Sequence, residues 1–142
     1  MQEFAQFASA NLFLVTGLVA SGLAVLFYEL RLKARDIGSL SAAMAVRLIN
    51  DGSAIVDIRA PEHFTAGHIV DAKNIPEAEL LKSPDVLERN KKGTLLVCDT
   101  GSRSADTAAR LRKSGAENVF CLKGGLAAWQ QENLPVVRDA KG

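Results

Sequence analysis

Two cysteines, one tryptophan and one tyrosine in 142 residues make a chain poor in the groups that usually staple or decorate a small fold. Two cysteines cannot build the disulfide framework of a small secreted scaffold. Four prolines and 11 glycines are an ordinary share, which excludes collagen-like and low-complexity sequence. Neither sign of charge is in surplus: 17 basic and 16 acidic residues leave +1. A nucleic-acid backbone is therefore not an expected partner, and no acidic disordered tail is present. The two histidines, His63 and His68, have no metal-ligand spacing with either cysteine, so no metal site is expected. The length leaves room for one ordinary domain. With 23% of residues charged, a mean hydropathy of +0.09 is too high for a soluble domain unless one segment carries the excess.

The longest absence locates that segment. No side chain from Phe4 to Tyr28 is charged. As an α-helix this run measures roughly 37 Å, against a hydrocarbon core of about 30 Å. Leu, Val and Phe dominate Leu12 to Phe27 and favour insertion by on the order of 3 to 6 kcal/mol before Gly, Ser and Thr subtract. A cleaved signal peptide wants positive charge ahead of the apolar run and a clean small-residue cleavage site; Glu3 is the only charged side chain there. A buried core helix is disfavoured because the run is apolar on every face and the remaining chain is too short to wrap it. Arg31, Lys33 and Arg35 follow directly. The positive-inside rule then predicts a single-pass inner (plasma) membrane protein with its N-terminus outside and the rest in the cytoplasm. Gly17, Ala20, Ser21 and Ala24 share one stripe of this helix, a surface that a membrane-protein partner could approach closely, although small residues are also ordinary in spanning helices. Residues 1–36 thus read as anchor and basic flank, and 37–142 as the domain.

In the domain, Asp36 to Ser39 reads as a linker, and Ser39 or Ser41 as the cap of a helix ended by Asp51-Gly52. Ala54–Ile58, Thr94–Cys98 and Asn118–Leu122 are short apolar runs of the kind that form buried parallel strands. His68–Val70 reads as a brief strand. Pro61 to Phe64, Glu77 to Leu81, Pro84 to Arg89, Ser104 to Ser114 and Gly125 to Glu132 read as helical, and Pro135–Val137 as an extended tail. Alternation without hairpin signals predicts an α/β fold, a parallel sheet with helices on both faces.

Sites in such sheets form beyond the carboxyl ends of the strands, and Cys98 stands there. The chain Asp99-Thr100-Gly101-Ser102-Arg103 turns back over it into the helix near Ser104. Gly101 accepts a positive φ, so successive N–H groups can face inward as an anion-binding nest. The helix N-terminus and Arg103 add positive charge, and each favours a thiolate. From the loop alone Cys98 is either a nucleophile or a small buried hydrophobe. Cys121, inside a strand and without a glycine cradle, reads as core. Pairing of His68 with a cysteine, as in a protease, has no support in the spacing.

Three stretches in order resemble the rhodanese-like family of sulfurtransferase domains. The first runs Val56-Asp57-Ile58-Arg59, Glu62, Phe64, Gly67-His68-Ile69, Ala72, Asn74-Ile75-Pro76; the second is Cys98-Asp99-Thr100-Gly101-Ser102-Arg103-Ser104; the third is Leu122-Lys123-Gly124-Gly125 with Trp129. The resemblance covers about Ile37 to Pro135. It implies a five-stranded parallel sheet and a ping-pong reaction in which Cys98 takes sulfur from thiosulfate or a persulfide donor and passes it to a thiol or protein acceptor. It implies substrate-binding roles for Asp99, Thr100, Gly101, Ser102, Arg103 and Ser104, and structural roles near the site for Asp57 and Arg59. No metal or organic cofactor is implied. Related phosphatases have one more residue between Cys and Arg; here Arg103 is too close to Cys98 for a phosphoryl cradle. Asp71 stands where the family often has Gly, a turn that Asp tolerates. Asp99 places a negative charge beside the nucleophile, opposing both a thiolate and a doubly charged donor, which counts against thiosulfate. The competing function is a binding module of the same fold, catalytically weak, docking a partner at the membrane.

Overall fold

The computed structural model describes residues 2–139, the side chains of residues 2, 4 and 5 excepted. Met1 and residues 140–142, the extremities of the segments 1–36 and 37–142, lie outside the described residues, as does the side chain of Phe4 at the start of the uncharged run. The chain divides into two compact units, Met1–Ala34 and Arg35–Gly142.

The first unit is helical: α1 (Gln2–Ala10) and α2 (Leu12–Asp36). One helix from Phe4 to Tyr28 was expected; the observed helices differ at both ends of that run. At Asn11 the ladder persists, with the Asn11 N–H on Phe7 O and the Val15 N–H on Asn11 O, both 3.0 Å. The Asn11 side-chain amide also donates to Phe7 O at 3.1 Å, a local competition for the carbonyl that distorts the turn. At the other end, Glu29 to Asp36 stays helical because Leu, Lys, Arg and Ala are good helix formers regardless of charge. The helix stops just before Gly38, at φ 82°. Helix α2 has no buried residue, and its apolar window has a mean hydropathy of 1.9. It is long and apolar enough to cross a membrane. Thr16 within it donates its hydroxyl to Leu12 O at 2.8 Å, so that donor is satisfied inside the helix. Gly17, Ala20, Ser21 and Ala24 are exposed.

The second unit contains β1 (Ser39–Leu40), α3 (Ala42–Asn50), β2 (Ala54–Asp57), α4 (Pro61–Ala66), β3 (His68–Ile69), β4 (Lys73–Asn74), α5 (Glu77–Lys82), α6 (Asp85–Glu88), β5 (Thr94–Val97), α7 (Ser102–Lys113), β6 (Val119–Leu122), α8 (Gly125–Gln131) and β7 (Val136–Val137). Five strands form one sheet in the order β1-β6-β5-β2-β4, every pair parallel. Consecutive strand residues point to opposite faces, so Val56 and Leu96 enter one apolar cluster with Leu80, Leu87, Ala108 and Leu111 from α5, α6 and α7. Ile55 and Leu95 enter the other, with Ala42 and Ala45 of α3 and Leu126 and Trp129 of α8. Runs apolar on both sides and helices on both faces are thus one fact.

Two local expectations change and one holds. Ser39 is neither linker nor helix cap but an edge-strand residue paired with Cys121; Ser41 caps α3, accepting from the Met44 N–H at 3.4 Å. His68–Ile69 pairs antiparallel with Val136–Val137 in a separate two-stranded sheet, and Lys73–Asn74 takes the edge of the main sheet instead. Asp71 occupies the left-handed region at φ 63°, the turn geometry that Asp tolerates in place of Gly.

Candidate functional site

Cys98 follows the last residue of the central strand β5, where ladder pairing ends and the loop to α7 begins. Two glycines of the next connection hold this loop down. The Leu126 N–H donates to Cys98 O at 2.8 Å and the Ala127 N–H to Asp99 O at 3.1 Å, so the first turn of α8 takes the loop carbonyls. A Cβ on Gly125 would meet Cys98 O at 2.5 Å, and one on Gly101 would meet Gly124 N at 2.8 Å. The Gly124-Gly125 pair and Gly101, left-handed at φ 88°, interlock because none carries a side chain.

With the carbonyls taken, amides turn toward the sulfur. The Gly101 N–H donates to Cys98 Sγ at 3.0 Å and the Ser104 N–H at 3.4 Å, while Sγ lies 3.3 Å from Ser104 Oγ. The Ser104 hydroxyl is also within 3.1 Å of Gly101 O. Helix α7 starts at Ser102, not at Ser104 as the sequence suggests. That earlier start leaves the Ser104 amide among the first-turn N–H groups that have no intrahelical acceptor and aims it at the sulfur. Cys98 itself is only 1% exposed.

The remaining loop residues separate. Thr100 and Asp99 line a cleft of about 330 Å³ with Arg59, His63, Gly67, Leu126 and Gln130. Ser102 is exposed. Arg103, 55% exposed, does not reach the sulfur: its guanidinium lies 3.3 Å from Asp99 Oδ2, and it borders a second cavity of about 410 Å³ with Glu77, Asp106 and Arg110.

Arg59 is the residue that sequence reasoning undervalued. It is 4% exposed and forms a fork on Asp57, with Nη2–Oδ2 at 2.7 Å and Nε–Oδ1 at 3.0 Å; Nη2 also donates to Gly67 O at 2.7 Å. Its remaining Nη1 reaches Asp99 Oδ1 at 3.4 Å. Burial pulls its pKa down, but the hydrogen bonds and charges of Asp57 and Asp99 outweigh that and leave it raised. The period-two spacing of Asp57 and Arg59 hinted at the first pairing; nothing local hinted at the second. The structure adds partners to Asp99 that the sequence did not suggest. Its carboxylate does not stand unscreened beside the sulfur but is bracketed by two guanidinium groups.

The other candidates lie apart. His68 Nδ1 is 2.8 Å from Phe64 O and its ring stacks on Phe64 at 3.8 Å, a packed strand residue. Cys121 is fully buried, its sulfur 3.1 Å from Ser39 Oγ; burial pushes its thiol pKa up, partly opposed by the Ser39 hydrogen bond.

Comparison with known proteins places this geometry. The family model described as Rhodanese-like domain matches residues 41–132. The uncharacterized protein YibN of Escherichia coli strain K12 is 34% identical, over 97% of this chain and 99% of its own. The thiosulfate sulfurtransferase GlpE of Pseudomonas entomophila is 33% identical over 64% of this chain and 83% of its own. The crystal structure of a rhodanese-related protein from Thermoplasma volcanium superposes with a TM-score of 0.63 at 33% identity, covering 70% of this chain and 96% of that one.

Proposed function

The chain belongs to the rhodanese-like domain family, and on that premise we propose that it is a membrane-anchored sulfurtransferase that carries a persulfide on Cys98. The observation that carries the reading is the pair of amides on the sulfur, Gly101 at 3.0 Å and Ser104 at 3.4 Å. Donors fixed before the reaction stabilise charge without reorganising when it forms. The Cys98 thiolate attacks the outer sulfur of the donor; a Sγ–S bond forms, the donor's S–S bond breaks, and the electron pair leaves with the donor fragment, which is sulfite when thiosulfate is used. An acceptor thiolate then attacks the outer sulfur of Cys98–S–SH and releases the Cys98 thiolate back to the same two amides. Asp99, Thr100, Gly101, Ser102, Arg103 and Ser104 form the loop that receives donor and acceptor.

Residues 4–28 tether the domain, residues 37–142, to the inner face of the plasma membrane, with the basic cluster at Arg31, Lys33 and Arg35 on the cytoplasmic side. Mass spectrometry of the full chain after incubation with thiosulfate or glutathione persulfide tests the chemistry, and one extra sulfur atom on the peptide holding Cys98 is expected. The absence of any adduct with either donor, together with unchanged sulfur transfer by Cys98→Ser, overturns it and leaves the binding-module reading. For the anchor, the full chain is expected to stay with washed membranes, and protease added outside intact cells to spare the domain.

A further inference from the structure

The cleft over the Cys98 loop is built around a carboxylate that uses both of its oxygens on different arginines. Asp99 Oδ1 lies 3.4 Å from Arg59 Nη1 and Oδ2 lies 3.3 Å from Arg103 Nη2. Asp57 and Gly67 O hold the Nε and Nη2 of Arg59, which leaves Nη1 for Asp99. Two guanidinium groups that each hold one oxygen of the same carboxylate can hold the two oxygens of a small oxyanion in its place. With Asp57 and Asp99 counted against Arg59 and Arg103, no positive charge is left over for a donor that brings two negative ones.

We propose that Arg59 and Arg103 form a small-oxyanion seat at the mouth of the Cys98 loop, that Asp99 fills it as a built-in anion, and that the site thereby selects an organic persulfide over thiosulfate. The proposal rests on the sulfurtransferase reading and names its donor class. A tethered carboxylate competes at high effective concentration with any dissolved anion, and thiosulfate must both displace it and approach its charge. An organic persulfide has no sulfonate head to seat. Its carbon body instead meets Ala66, Leu126 and Ala127 in the cleft of about 330 Å³. In the loading step the Cys98 thiolate bonds to the outer sulfur of R–S–SH, the donor's S–S bond breaks, and the electron pair leaves on the inner sulfur as the thiolate R–S⁻, while the proton stays on the transferred sulfur as Cys98–S–SH.

The test compares the full-length wild type with Asp99→Asn, using as donors thiosulfate and the persulfide of 2-mercaptoethanol, whose carbon body carries no charge. The ratio of kcat/KM for thiosulfate to that for the persulfide is expected to rise roughly tenfold to a hundredfold, chiefly through a lower KM for thiosulfate. Adding Arg103→Gln to Asp99→Asn is expected to erase the gain. Asp99→Ser removes the same charge and repeats the measurement should the Asn variant not fold. Independently of turnover, sulfite is expected to bind more tightly to Cys98→Ser/Asp99→Asn than to Cys98→Ser, read by calorimetry. Persulfide on Cys98 with an unmoved donor ratio and unmoved sulfite affinity overturns the seat alone. No sulfur on Cys98 from either donor, in any of these proteins, overturns the underlying reading.

Discussion

Cys98 just past β5 and Cys121 within the neighbouring β6 belong to one parallel sheet, and the register that sets Leu96 opposite Cys121 accompanies both cysteines into the same apolar cluster. Each is exposed by 1% or less. Their surroundings nevertheless differ in kind. Cys121 lies inside β6, where backbone amides are committed to strand pairing, and Ser39 Oγ is its hydrogen-bond partner. Cys98 lies one step past the end of β5, where amides have left the ladder and two of them turn onto its sulfur. Burial by itself disfavours a thiolate, and the proposed chemistry at Cys98 rests on these two amides. The two cysteines thus differ in where on the strand they fall and in which amides face them, not in how deep they lie.

The comparison breaks most sharply if the cradle is removed and the cysteine kept. Gly101→Ala is the largest expected effect. A side chain at φ 88° costs about 1 to 2 kcal/mol, and crowding against Gly124 N at 2.8 Å and Leu122 O at 3.0 Å adds about 1 to 3 kcal/mol. Urea unfolding is expected to register the summed loss, and sulfur loading of Cys98 to fall about tenfold or more, since the displaced amide contributes a charge-assisted bond of roughly 1.5 to 3 kcal/mol. A variant with full stability and full loading refutes the cradle. Ser104→Ala is gentler. It deletes the hydroxyl that accepts from the Cys98 thiol and donates to Gly101 O but keeps the Ser104 amide, so a stability loss of about 1 kcal/mol, with sulfur loading within about twofold in stopped-flow assays, is expected. Loading slowed severalfold instead would mean that the hydroxyl turns to the sulfur during the reaction and that the amides are not the whole cradle.

How much of this was legible in the sequence follows the same division. Strands β2, β5 and β6 were readable because strands buried on both faces appear as unbroken apolar runs. The edge strands Ser39–Leu40 and Lys73–Asn74 were not, being two residues long and partly polar. Their strand character comes from the neighbour, as when the Cys121 N–H bonds to Gly38 O at 3.0 Å and the Lys123 N–H to Leu40 O at 2.8 Å. The loop was readable as a pattern, Cys98 through Ser104, including the left-handed Gly101. The start of α7 was misplaced because Gly101 itself is the cap and offers no side-chain signal. Asp99 was readable as a charge but its partner was not, since Arg59 stands forty positions away and meets it only after β2 and β5 pair.

The smallest expected effect sharpens the other side of the comparison. Burial raises the Cys121 thiol above its ordinary pKa, so the folded chain favours the neutral form more than the unfolded chain does. That preference contributes stability below the ordinary thiol range, roughly pH 8.5. It is lost as pH rises, because the unfolded chain releases its proton first and the folded state must follow or open. Cys121→Ala removes the titration at the expense of a small void. Urea titrations at about pH 7 and about pH 10 are therefore expected to show the wild type losing more stability across that interval than the variant. Sulfur loading at Cys98 is expected to stay within about twofold, because Cys121 shares a core cluster with Cys98 but no donor. Equal alkaline losses in the two proteins would mean that β6 lets solvent reach Cys121, and the contrast between the two strands would then rest on the Gly101 and Ser104 amides alone.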